Sequence, residues 1–191
     1  MTWKTLVKTK ITAFHESQLR SKAANSQSLE FFNVQLLGLT GIPHPALRGI
    51  SETRDAYKLR AHLKFLLGDI LSSKKLARER GGDPKCRLCN AQSEDSTHIL
   101  VECPKTAETR HRLLPELLNL VASIKPLSPL LISQNILNEN LAQCIVDPSS
   151  TNLPCSLRVS FQHPRLSELY RLSHDWCFAV YNDRARLSKE Q

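Results

Sequence analysis

Residues 83–104 read DPKCRLCNAQSEDSTHILVECP, and four side chains in that run, Cys86, Cys89, His98 and Cys103, have the spacing C-x2-C-x8-H-x4-C. Two thiolates across a tight turn reach one ion from the same side. A histidine and a cysteine from a following turn or short helix complete a tetrahedron. Three soft sulfurs with one imidazole match zinc, which takes four such ligands in closed structural sites. Four protein ligands leave no position for a reactive water, so scaffolding rather than catalysis is expected. Asp83-Pro84 should turn the chain ahead of the first pair, and Asp95 or Ser96 should cap a short helix carrying His98. Lys85 and Arg87 flank the thiols and favour their ionised form. A competing ligand set replaces one member by His111. So short a segment buries no core of its own. Structural zinc contributes on the order of 10 kcal/mol to such a unit, and without it residues 83–104 are expected to be disordered.

Outward from this segment the chain reads as helices. Ala56, Leu59, Leu63, Leu66, Leu67, Ile70 and Leu71 fall on one face of a helix over 52–72, with Ser51 as a candidate N-cap. A basic stretch follows and ends at Gly81-Gly82. On the other side, Pro104 opens a helix lined by Leu113, Leu114, Leu117, Leu118 and Val121. A helix around 130–145 carries Leu131, Ile136, Leu141 and Ile145. Residues 147–163 read as a loop, and a final helix from Pro164 buries Leu166, Leu169, Tyr170, Trp176, Cys177 and Val180. At the other end, Trp3, Val7, Ile11 and Phe14 predict a helix over 2–24. Leu29, Phe31 and Phe32 form an apolar patch before Gly41, Pro43 and Pro45 break the chain. Leucine dominates, glycine is scarce and β-branched residues are scattered. The expected fold is mainly α: a bundle-like helical domain with a small inserted zinc knuckle. Its stretches are an N-terminal helical segment at 1–50, a helix with the metal module and a following helix at 51–122, and a C-terminal helical segment at 123–191.

The formal net charge is +8, and residues 1–80 hold all of the excess, with 14 Lys/Arg against 6 Asp/Glu. Such asymmetry suggests a polyanionic partner, although a merely basic surface reads the same way. Lys74, Lys75, Arg78, Arg80, Lys85 and Arg87 surround the knuckle and form the candidate phosphate-contacting patch. Aromatic side chains are scarce near the cluster, so base-specific stacking there is not expected. The N-terminal run shows no signal-peptide pattern, with lysines at 8 and 10, and no stretch has the length of a membrane helix. An intracellular setting, the nucleus included, is therefore expected, with no membrane partner, and metal binding is favoured over disulfides. Cys144, Cys155 and Cys177 read as buried thiols, Cys155 being the one placed in a loop. His15, His44, His62, His111, His163 and His174 read as ordinary surface or core histidines, and Trp176 with Tyr170 as core.

At the cysteine segment the chain resembles the C-terminal zinc-binding region of non-LTR (LINE-type) retrotransposon reverse transcriptase polyproteins. The resemblance lies in the ligand spacing, in Glu94 and Asp95 ahead of the histidine, and in His98-Ile99-Leu100 and Cys103-Pro104. A preceding helix ending in Leu66-Leu67-Gly68-Asp69 adds to it. The specific motif covers about 20 residues, and a looser likeness spans roughly residues 55–120. It implies Cys86, Cys89, His98 and Cys103 as metal ligands, and RNA or DNA as the partner. The chain has no adjacent aspartate pair of the polymerase type. It also has no Pro-Asp…Asp/Glu-x-Lys nuclease pattern, since Asp147-Pro148 has the order reversed. The expectation is therefore a non-enzymatic, zinc-binding, nucleic-acid-binding remnant. The alternatives are a helical protein-interaction scaffold with a purely structural zinc and a functionless retroelement fragment.

Overall fold

A computed structural model of the chain describes residues 2–26, 29, 31–32, 44–47, 53–124, 138–150, 153, 158–160 and 163–189. Among them are six α-helices and no strand: α1 (Trp3–Ala24), α2 (Thr53–Leu66), α3 (Ser73–Arg80), α4 (Ala107–Ile124), α5 (Asn138–Val146) and α6 (Leu166–Leu187). Single 3-10 turns lie at Pro45–Leu47 and Pro104–Thr106, and a π-type turn at His98–Glu102. The mainly α expectation holds. No described helix is long and apolar enough to cross a membrane.

The core is built around α6, which packs against α2, α4, α5 and the Pro45–Leu47 turn. Its expected face, Leu166, Leu169, Tyr170, Trp176, Cys177 and Val180, is buried throughout. Spacings of three and four keep those residues on one side of a helix. From α4, Leu113, Leu117 and Val121 meet it, with Leu114 packed at the margin. From α5, Ile145 is buried and Leu141 packs beside it, whereas Leu131 and Ile136 lie outside the described residues. Phe31 joins the same core, with Phe32 packed against it. All three expected stretches thus contribute to one core.

α2 departs from its expected phase. Its buried residues are Ala61, His62, Phe65 and Leu66, while Ala56, Leu67 and Leu71 are exposed. For Leu67 and Leu71 the reason is an early stop. Gly68 adopts φ +61°, and its N–H donates to the Phe65 carbonyl while the Asp69 N–H donates to the Lys64 carbonyl. That is a Schellman end, which a left-handed glycine permits. The helix therefore ends at Leu66 rather than near 72, and Ile70 re-enters the core from a turn. The basic stretch beyond it is a helix of its own, α3, capped by Ser72 accepting from the Lys75 N–H. The candidate cap Ser51 lies outside the described residues.

A polar island sits within this core. The His62 Nε2–H donates to the Val146 carbonyl at 2.6 Å, satisfying a free carbonyl at the end of α5. The His174 ring stands 4.9 Å away, and His44 Nε2 lies 3.8 Å from Asp147 Oδ2. Asp147 also accepts from Tyr170 Oη and from the Ser149 N–H and hydroxyl. The segment expected as a loop from 147 is accordingly buried where it starts, with Asp147, Ser149 and Ser150 all inside. Burial pushes the His62 pKa down to about 3, and neighbouring His174 adds to the effect. His174 is lowered too, chiefly by burial.

The unfolded chain therefore binds protons near pH 6.5 that the folded chain refuses. Stability should be full above pH 6.5 and fall as the pH drops toward about 3. Denaturant midpoints should register about 2 kcal/mol of loss between pH 7 and pH 5 from His62 alone. His62→Gln should flatten that slope, and an unchanged slope in this variant would refute the assignment.

Candidate metal centre

The knuckle is shaped by its own backbone first. The Asp83 carboxylate accepts from the Lys85 N–H, the turn expected of Asp83-Pro84. The Asn90 N–H donates to the Cys86 carbonyl, and the Cys86 N–H to that of Ala91. Asn90 makes the turn at φ +59°, a conformation asparagine tolerates better than most residues. Within it the backbone N–H groups of Leu88 and Cys89 bond to Cys86 and favour its ionised form. The second half is a capped turn. Asp95, rather than Ser96, accepts from the His98 N–H at 2.9 Å. The Cys103 N–H then donates to the His98 carbonyl at 2.8 Å, five residues back. In an α-helix five residues leave two side chains about 140° apart. The wider π-type turn brings Cys103 round toward His98.

The four donors converge. Cys86 Sγ and Cys103 Sγ are 4.0 Å apart, and Cys89 Sγ is 3.3 Å from His98 Nε2. All four ligand atoms lie within 4.8 Å of one another. A tetrahedron with metal–sulfur bonds of about 2.3 Å has edges of about 3.8 Å. The group therefore has the dimensions to hold a metal ion. Its chemistry agrees. Burial, reinforced by the neighbouring thiols, pushes Cys103 up to about 12, and burial raises Cys86 as well. Thiols packed this closely are poor anions by themselves, and a dication at their centre reverses that preference. His98 Nδ1 faces Glu102 Oε2 at 3.5 Å, leaving Nε2 toward the sulfurs. A carboxylate behind the imidazole is the usual support of a ligating histidine. The competing candidate His111 is exposed and outside the group.

One residue behind the sulfurs has a role that its place in the motif did not disclose. Glu94 has no exposed surface, and its Oε1 lies 4.0 Å from Cys86 Sγ. Its carboxylate accepts from the Ser73 N–H and hydroxyl at 2.7 and 2.6 Å. It also accepts from Arg184 Nε and Nη2 at 2.9 and 3.2 Å. Burial opposes its charge, but Arg184 and Ser73 outweigh that and hold the carboxyl below its usual range. Arg184 also donates to the Leu71 carbonyl, and Leu187 of α6 packs on Cys86, Leu88 and Cys103. The knuckle is thus fixed to the start of α3 and the end of α6. The signal available in sequence was a lone glutamate before a histidine. Its partner lies 90 residues away.

Part of the expected basic patch is paired locally. Lys74 pairs with Asp95 at 3.0 Å, Lys85 with Asp83 at 3.3 Å, and Lys75 donates to the Gly68 carbonyl with Asp69 beside it. Arg78, Arg80 and Arg87 are exposed. Of the remaining cysteines, Cys144 and Cys177 are buried thiols as expected, and Cys155 lies outside the described residues. Comparison of the chain with protein-family models, with curated proteins and with solved structures finds no match.

Arg184→Ala should leave Glu94 charged and unpaired in the interior. Stability should fall by about 3 kcal/mol. The double variant Arg184→Ala/Glu94→Gln should recover part of that loss in a denaturation cycle. Additive losses would mean the two groups do not act as a pair.

Proposed function

We propose that this chain is a non-catalytic, nucleic-acid-binding module organised by one zinc ion, akin to the C-terminal region of LINE-type retrotransposon reverse transcriptase polyproteins. The observation that carries it is the convergence of Cys86, Cys89, His98 and Cys103 within 4.8 Å. Three thiols and one imidazole, mostly buried, form the soft, closed donor set that zinc favours over magnesium or calcium. With four protein ligands the ion serves as a strut, holding the Cys86–Cys89 turn against the His98–Cys103 turn. Nucleic acid is favoured by the basic excess of residues 1–80 and by Arg78, Arg80 and Arg87, exposed beside the knuckle. Phosphates recruited by such side chains displace counterions and give affinity without sequence preference.

A second reading is a helical protein-interaction scaffold with the same zinc. It is favoured by the local pairing of Lys74, Lys75 and Lys85 with Asp95, Asp69 and Asp83, which lowers the charge the patch offers to a polyanion.

Native mass spectrometry should find one zinc per wild-type chain and none in Cys86→Ser. A chain purified without metal, or a variant that retains it, would defeat the proposal. Chelation should speed amide exchange over residues 83–93 more than over 98–101, because Ile99, Leu100 and Val101 are anchored in the main core. Affinity for a random oligonucleotide should fall steeply with salt. A flat response would favour the scaffold.

A further inference from the structure

Around the knuckle aspartates balance basic charge; on α1 four lysines have no such partner among the described residues. That helix carries Lys4, Lys8, Lys10, Arg20 and Lys22 against one acid, Glu16. Its first turn, where the helix dipole favours a negative group, has none. No ion pair engages Lys4, Lys8, Lys10 or Lys22 among the described residues.

The same stretch exposes aromatic rings. Trp3 is 76% and Phe14 58% exposed, in a chain whose other tryptophan, Trp176, is 1% exposed. They stand eleven positions apart, which places both on nearly the same line of α1, about 16 Å apart. Beside Trp3, the residues Lys4, Val7, Lys8, Ile11 and Thr12 line a shallow, open hollow on the helix surface. It has an apolar floor flanked by two ammonium-bearing side chains. A flat ring on that floor and an anion at its edge are the two halves of a nucleotide.

We propose that this face of α1 binds single-stranded nucleic acid. Trp3 and Phe14 are stacking platforms for bases, and Lys4, Lys8 and Lys10 meet the phosphates. The proposal rests on the nucleic-acid reading above and adds the surface and the strand type. Stacking on a side chain needs a base whose face is free, which a duplex does not offer. An anionic lipid surface would also supply apolar and negative character. Lys10, however, falls between Leu6 and Trp3 around the helix, inside the apolar arc. Interfacial helices keep lysines off that arc.

The test uses the zinc-loaded full chain and a short oligothymidylate. Because Trp176 is buried, any change in emission reports Trp3. The oligonucleotide should quench it. By anisotropy of the labelled strand, Trp3→Ala and Phe14→Ala should each weaken binding about tenfold, with zinc content and circular dichroism unchanged. Lys4→Gln and Lys8→Gln should each reduce the salt slope by about 0.7. Binding that is equal in wild type, Trp3→Ala and Phe14→Ala but lost in Cys86→Ser would overturn the α1 assignment and leave the zinc module standing. No binding by wild type would defeat both. A blue shift on phosphatidylcholine–phosphatidylserine vesicles, without quenching by the oligonucleotide, would overturn the proposal in favour of a membrane surface.

Discussion

The Glu94 carboxylate has no contact with solvent, yet it meets Arg184, Ser73 and the edge of the Cys86 sulfur at once. It joins the knuckle to the start of α3 and the end of α6, beside the Lys74–Asp95 pair and the packing of Leu187 on the cysteines. A buried charge of this kind is tolerated only when every oxygen is occupied. Ser73 fills one oxygen through two donors and Arg184 reaches both. Loss of any partner leaves the charge stranded, so the arrangement is all or none. The group of three cysteines and His98 is consequently held from behind by this carboxylate, and an ion bound at its centre would hold it from the other side.

Around this anchor, charge is sorted by distance. Close to the knuckle, lysines are matched by aspartates that also shape the turns. Asp95 caps the His98 turn and pairs with Lys74, while Asp83 turns the chain and pairs with Lys85. Exposed pairs of this kind contribute little stability, about 0–1 kcal/mol. Their larger effect is to subtract from the field available to a polyanion. The lysines of α1, without an ion pair among the described residues, stand on a helix whose apolar residues are also exposed, so charge and apolar surface are offered together there.

A second polar centre lies in the core proper. His62, His174, His44, Asp147 and Tyr170 gather elements from α2, α6 and the segments before α2 and after α5. Four of their buried atoms, His44 Nε2, His62 Nδ1, Asp147 Oδ2 and His174 Nε2, have no hydrogen-bond partner among the described residues, so burial of this group costs stability as well as ordering the packing around it. The cysteine–histidine knuckle and the histidine island are therefore tied to the helices by different chemistry, one by a carboxylate with its guanidinium and hydroxyl partners, the other by imidazole and carbonyl.

Much of this was legible in the chain. Ligand spacing, the apolar face of α6 and the buried side of α4 are local patterns, and period or proximity in sequence reveals them directly. Cys86, Cys89, His98 and Cys103 lie within 18 residues, so turn geometry alone brings them close. The end of α2 was misjudged because hydrophobic periodicity ran on through Leu67 and Leu71, whereas Gly68 terminated the hydrogen-bond ladder. Glu94 with Arg184, His62 with Val146 and the exposure of α1 left no trace of their own in sequence. Each depends on what the folded chain brings, or fails to bring, against a residue from 84 to 90 positions away or from another element. Local spacing determines what a segment is able to become; only packing decides which charges are sheltered, which are cancelled and which are left facing water.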